Sequence, residues 1–200
     1  DDRVEALVGN FAGQGLQLRG REEVSPSRKK CPTSDDQLTA AMLRETELFF
    51  RTIVSDNRSI LDFLDADYTY VNDRLAKHYG ISGVSGPEFK RVSLEGGRRG
   101  GLLGQASILT VTSDPTRTSP VKRGKWILEN LFDAPPPEAP PDVPQLADGD
   151  STQLTGSLRE QMEKHRADPA CASCQKMMDP LGFGLENYDA MGAWRDRDGT

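Results

Sequence analysis

The sequence predicts a mainly α-helical protein, with a helical domain joined by a proline-rich linker to a smaller helical module. Three observations carry this. Apolar residues recur at three- and four-residue spacing in most segments, cap and stop residues bracket those segments, and six prolines crowd into residues 134–144. Two hundred residues suffice for one ordinary domain, or two small ones, with a buried core. At 36% hydrophobic, 28% charged and 6% aromatic the chain reads as globular and rather polar.

Val4, Leu7, Val8 and Phe11 share helical spacing and predict a first helix of about a dozen residues. A loop rich in Ser, Pro and Lys follows. Ser34-Asp35-Asp36-Gln37 fits a capping box, in which the Ser34 hydroxyl and the Gln37 side chain satisfy each other's orphan amides. Behind it Leu38, Ala41, Met42, Phe49, Thr52 and Ile53 form one apolar face, so that helix runs to about Val54. A short helix is expected around Ile60–Leu64. Another is expected around Thr69–Tyr79, ended by Gly80 as its C-terminal cap.

Residues 81–101 are glycine-rich and irregular, with at most a short strand at Phe89–Leu94. Leu102–Val111 is apolar enough for either a helix or a buried strand. Ser119-Pro120 marks a helix start, a cap followed by proline at the first helical position. That helix carries Val121, Trp126, Ile127, Leu128 and Leu131. The proline run then reads as a stiff spacer. The expected units are therefore a helical domain over 1–133, a linker over 134–150 and a partial module over 151–200. In the last, Leu154, Leu158, Met162 and His165 line one helical stripe that ends before Pro169.

A net charge of −6 argues against a nucleic-acid partner, which calls for a clustered basic surface. The basic residues Arg98, Arg99, Arg117, Lys122, Arg123 and Lys125 read as solvated helix ends and loops. No apolar run approaches the eighteen or so residues of a membrane span. The chain opens on Asp1-Asp2-Arg3 and stops at Asp198-Gly199-Thr200, and both ends read as cut from a longer polypeptide. No nucleophile elbow, phosphate loop or zinc-protease motif occurs, and no spacing singles out a catalytic carboxylate pair among Asp62, Asp65, Asp67, Glu186 and Asp189.

Chemistry concentrates between His165 and Phe183. Cys171 and Cys174 form a C-x-x-C, the thiol spacing of a covalent haem site when histidine comes next. Two thiols one helical turn apart reach the two vinyl groups, and the following imidazole lies under the iron. Here the next residue is Gln175, whose amide oxygen is a weak, neutral donor outside the usual haem-iron ligands. The nearby candidates for iron are Lys176, Met177, Met178 and His165. The same C-x-x-C is also open to a redox-active pair, half of a zinc site, or a local disulfide.

Resemblance over most of the chain favours haem. Asp179-Pro180-Leu181-Gly182-Phe183 and the following Leu185-Glu186-Asn187-Tyr188-Asp189 through Gly192, Trp194 and Arg195 resemble the stretch after the haem motif in large secreted planctomycete cytochrome-like proteins. So do the blocks Ala66–Gly80 and Arg99–Trp126. The resemblance implies a cytochrome-c-like final module and an exported, periplasmic or secreted electron-transfer protein. It also implies haem c and a redox partner protein, without naming a reaction or substrate. Carried over by position, Cys171 and Cys174 match the thioether cysteines, and Met178 matches the family's Met-Asp-Pro element on the proximal side. Gln175 stands where that family usually has histidine. A haem-free structural or binding module with a Cys171–Cys174 disulfide is the alternative.

Other residues have simpler expectations. His165 is either a core or helix-end histidine or an iron ligand. His78 suits the dipole at a helix C-terminus. Trp126 and Trp194 read as packing anchors. Arg117 and Arg123 read as salt-bridge partners or as forks for an anion such as a haem propionate. Cys31 reads as an inert buried thiol or a stray surface one.

Overall fold

The computed structural model describes residues 2–18, 31, 33–137, 158–165 and 169–197. Within these the protein is mainly helical, as expected, with one two-stranded sheet. The first helix, α1, runs as an α-helix over Asp2–Ala6, widens to π geometry over Leu7–Ala12 and closes with a turn at Gly13–Gly15. The π stretch rotates the apolar face, so Val8 and Ala12 are buried while Leu7 stays outside.

Helix α2 (Asp36–Ser55) is the central rod. Its cap is Asp35 and not Ser34: the Asp35 carboxylate accepts from the Leu38 amide at 2.6 Å. The other carboxylate oxygen accepts from Arg74 at 2.7 and 3.0 Å. A hydroxyl has one donor to satisfy, whereas a carboxylate serves the cap and a cation together. Three groups of apolar side chains radiate from α2. Leu38, Ala41 and Met42 meet Val71, Leu75, Ala76, Ala106 and Met191. Phe49 and Ile53 meet Ala66, Tyr68 and Leu102, and Phe50 meets Val8 and Ala12 of α1. Leu38, Met42 and Phe49 are wholly buried, each contributing roughly 1.5–3 kcal/mol.

A single short helix, α3 (Asp62–Asp65), precedes strand β1 (Tyr68–Val71) and helix α4 (Asp73–Tyr79). The continuous helix expected from Thr69 is thus a strand and then a helix. Tyr-Thr-Tyr-Val is aromatic and β-branched, and it pairs antiparallel with β2 (Lys90–Ser93), Tyr68 opposite Ser93 and Val71 opposite Lys90. Asn72 then caps α4 by accepting from the Leu75 amide at 3.0 Å. Gly80, at φ 71°, closes it as expected. The apolar stretch after the glycine-rich segment is a 3₁₀ turn (Leu102–Gly104) followed by helix α5 (Ala106–Val111).

Helix α6 (Pro120–Asn130) starts at the Ser119 cap, whose hydroxyl accepts from the Lys122 amide at 3.3 Å. Helices α7 (Leu158–His165) and α8 (Pro169–Phe183) follow, and a hooked segment over 184–197 ends the described chain. Residues 138–150 of the linker expected over 134–150, and the helical start at Leu154, lie outside the described residues. The residues before and after the proline run share packing. Met191 sits in the cluster around Leu38, and Leu181 and Leu185 pack on the cluster holding Ile108, Trp126 and Ile127.

Candidate functional site

Cys171, Cys174, Gln175 and Met178 all lie on α8, one continuous helix. Its buried stripe is Gln175, Met178, Asp179 and Gly182, the i, i+3, i+4, i+7 pattern. That stripe faces α6 at unusually short range. A Cβ on Gly124 would fall 2.0 Å from the Met178 carbonyl oxygen, and one on Gly182 would fall 1.9 Å from the Pro120 carbonyl oxygen. Backbone touches backbone at both points. The pairs 124–178 and 120–182 make the two helices antiparallel, and the same register sets Gln175 against the last turn of α6.

Gln175 is 6% exposed, and its amide oxygen is buried without a hydrogen-bond donor among the described residues. Met178 is equally buried, its main chain pressed on Gly124. Met177, by contrast, points to solvent at 45% exposure. Cys174 is half-buried beside the Pro137 carbonyl, to which its thiol donates at 3.6 Å. The side chains of Cys171 and His165 lie outside those described. Among the described residues, no group of three His, Cys, Asp or Glu is placed to hold a metal ion.

These residues do not fit a haem iron ligated in the usual way. The position under the iron carries an amide oxygen in place of an imidazole. The Met178 face is closed by direct helix contact, leaving no room for a flat macrocycle between α6 and α8 at Gly124 and Gly182. The helical backbone also bears on a disulfide. Cβ atoms three residues apart in a helix are about 5–6 Å from each other, against roughly 3.5–4.5 Å in a disulfide. Closing a Cys171–Cys174 bridge draws the two Cβ atoms closer than ideal helix spacing.

The hook after α8 is built around Arg123. Burial lowers the basicity of this guanidinium, yet it holds the chain by donating to the carbonyls of Leu185 (2.6 Å), Tyr188 (2.9 Å) and Asp189 (2.7 Å). It also reaches the Ser113 hydroxyl at 3.2 Å. Arg123 is therefore a backbone clamp, neither a salt-bridge partner nor an open fork for an anion. Arg117 does form the expected ion pair, with Asp114 at 3.1 Å. The Asp189 carboxylate closes the hook by accepting from the Met191 and Ala193 amides at 2.8 Å each. Trp126 is a core anchor, 3% exposed, and Trp194 packs edge-on against Tyr188.

Arg99 is not a solvated loop cation. Its guanidinium stacks 3.7 Å over the Tyr79 ring and 5.0 Å from Tyr188, and donates to the carbonyls of Gly104 and Gly192. His78 lies in the last turn of α4, as expected. Burial lowers its pKa, and Nε2 donates to the Met191 carbonyl at 2.8 Å. Cys31 is half-buried against the Leu38 cluster, and burial raises its thiol pKa.

Sequence reading missed Glu45, which lies on the α2 stripe between Met42 and Phe49 and is wholly buried. Its carboxylate accepts from Thr69 Oγ1 at 2.6 Å and from the Tyr79 hydroxyl at 2.5 Å. Desolvation pushes its pKa up to about 7. A charged residue in register with Leu38, Met42, Phe49 and Ile53 was the available signal.

No helix among the described residues is long and apolar enough to cross a membrane. No curated protein and no solved structure matches the chain. Residues 1–81 match PSD4, described as a protein of unknown function (DUF1592). Residues 99–198, half of the chain, match PSCyt3, described as a protein of unknown function (DUF1588). The chain belongs to this PSCyt3 family, a planctomycete-type cytochrome-like family of unknown function.

Proposed function

We propose that this chain is a haem-free member of its cytochrome-like family, acting as a structural or binding module of an exported, periplasmic or secreted protein. One observation carries the reading. Gln175 occupies the position of the iron-binding histidine, buried on a helix face that α6 meets backbone to backbone. Without imidazole, a haem held only by two thioethers lacks the bond that sets affinity and potential. The family's exported, cytochrome-like character supports the compartment. Electron transfer through haem c, with a redox partner protein, is the second reading, favoured by the intact Cys171–Cys174 spacing on one helical turn.

Export of the chain in a host that matures c-type haem separates the two. The expected product has its plain polypeptide mass and no Soret band. A mass lower by two hydrogens would also be haem-free and would report one disulfide, which peptide mapping assigns among Cys31, Cys171 and Cys174. A covalent haem adduct with a Soret band would overturn the proposal. In the same host, Gln175→His restores C-x-x-C-H and serves as the control for haem delivery.

A further inference from the structure

Glu45 stands at the junction of the two family segments. From the first segment, β1 supplies the Thr69 hydroxyl and α4 the Tyr79 hydroxyl, both donating to its carboxylate. Tyr79 in turn accepts from the Ala106 amide of the second segment at 2.8 Å. The charged or titratable groups facing Glu45 are few. Tyr79 lies on α4, and Arg99 is stacked on the Tyr79 ring. Helix α5 carries no ionisable side chain. Among the described residues Glu45 has no salt-bridge partner.

We propose that Glu45 is a proton-operated latch, neutral when the second segment is docked on Tyr79 and ionised when that junction opens to water. The physical basis is a carboxyl sealed from water with two neutral donors and, among the described residues, no ion pair. Opening lets water solvate the carboxylate, so deprotonation favours the open form. Its pKa moves from about 7 when buried towards the usual 4.5 when open, so the junction loosens as pH rises across that interval. Each unit of displacement is tenfold in the opening equilibrium, on the order of 100-fold in all. His78, which bonds Met191 across the same junction, acts with the opposite sign because burial lowers its pKa. Acid therefore opposes its docking.

The test is amide hydrogen exchange at Ala106, corrected for intrinsic rates between pH 5 and 8, with NMR titration of the Glu45 carboxyl in the full chain. The expected result is a carboxyl midpoint near neutrality and an opening equilibrium whose rise with pH exceeds that of Glu45→Gln by about 100-fold. Glu45→Gln should lose this rise and keep only the opposite dependence of His78, which acts alike in both proteins, so the difference reports Glu45. A carboxyl titrating with the surface carboxylates, or a pH dependence in Glu45→Gln equal to that of the parent chain, overturns the proposal. Should Glu45→Gln fail to fold, Thr69→Val decides. It removes a donor that favours the carboxylate and leaves the Tyr79–Ala106 contact in place, so the Glu45 midpoint must rise and the opening curve must move with it; an opening curve that does not follow the midpoint refutes the latch.

Discussion

Arg123 shows how one side chain organises a segment without regular structure. It donates to the hook carbonyls of Leu185, Tyr188 and Asp189 and, among the described residues, forms no ion pair. Removing a donor from buried carbonyls costs more than the hydrogen bonds themselves contribute, because those oxygens are already dehydrated. Arg123→Met, similar in length but unable to donate, should destabilise the protein by roughly 3 kcal/mol. Urea denaturation measures this, and near-UV dichroism of Tyr188 and Trp194 should weaken because the hook loses its anchor. A loss below about 1 kcal/mol would mean that the carbonyls find other donors. The residue was recognisable in the sequence as a basic side chain in a helix. Its partners in the hook were not, since they lie more than sixty positions away.

Among the elements, helix starts were legible and their cap chemistry was less so. Both Ser34 and Asp35 suit an N-cap, and local pattern cannot rank them. Arg74, brought across by α4, settles it for Asp35 and holds that carboxyl below its ordinary pKa. Asp35→Ala should therefore cost about 1 kcal/mol, whereas Ser34→Ala should stay within about 0.5 kcal/mol. Thermal melts of the two variants give the ranking, and equal losses would restore Ser34 as the cap. The strand at Tyr68–Val71 was hidden for a related reason. Its apolar residues also fit helical spacing, and only the partner at Lys90–Ser93 makes the extended form worthwhile. The start at Ser119-Pro120 was readable because cap and proline act within a single turn.

At the level of the whole molecule, the first 133 residues bury part of their apolar surface against the last 50. Met191 completes the Leu38 cluster, and α8 covers the glycine face of α6. A chain ending at Ala134 should therefore lose cooperative unfolding and bind a hydrophobic dye, measured by calorimetry and ANS fluorescence. A sharp transition at the temperature of the full chain would show instead that the first part folds alone. The sequence by itself determined the helical class, most helix boundaries and the thiol pair with glutamine beside it, because each depends on neighbours a few positions apart. Tertiary structure alone decided that Gln175 faces α6, that Arg99 and Arg123 hold backbone in place of solvent or anions, and that Glu45 is sealed in the core. Burial and desolvation arise from chain segments meeting at long range, and local periodicity carries no record of which segments those are.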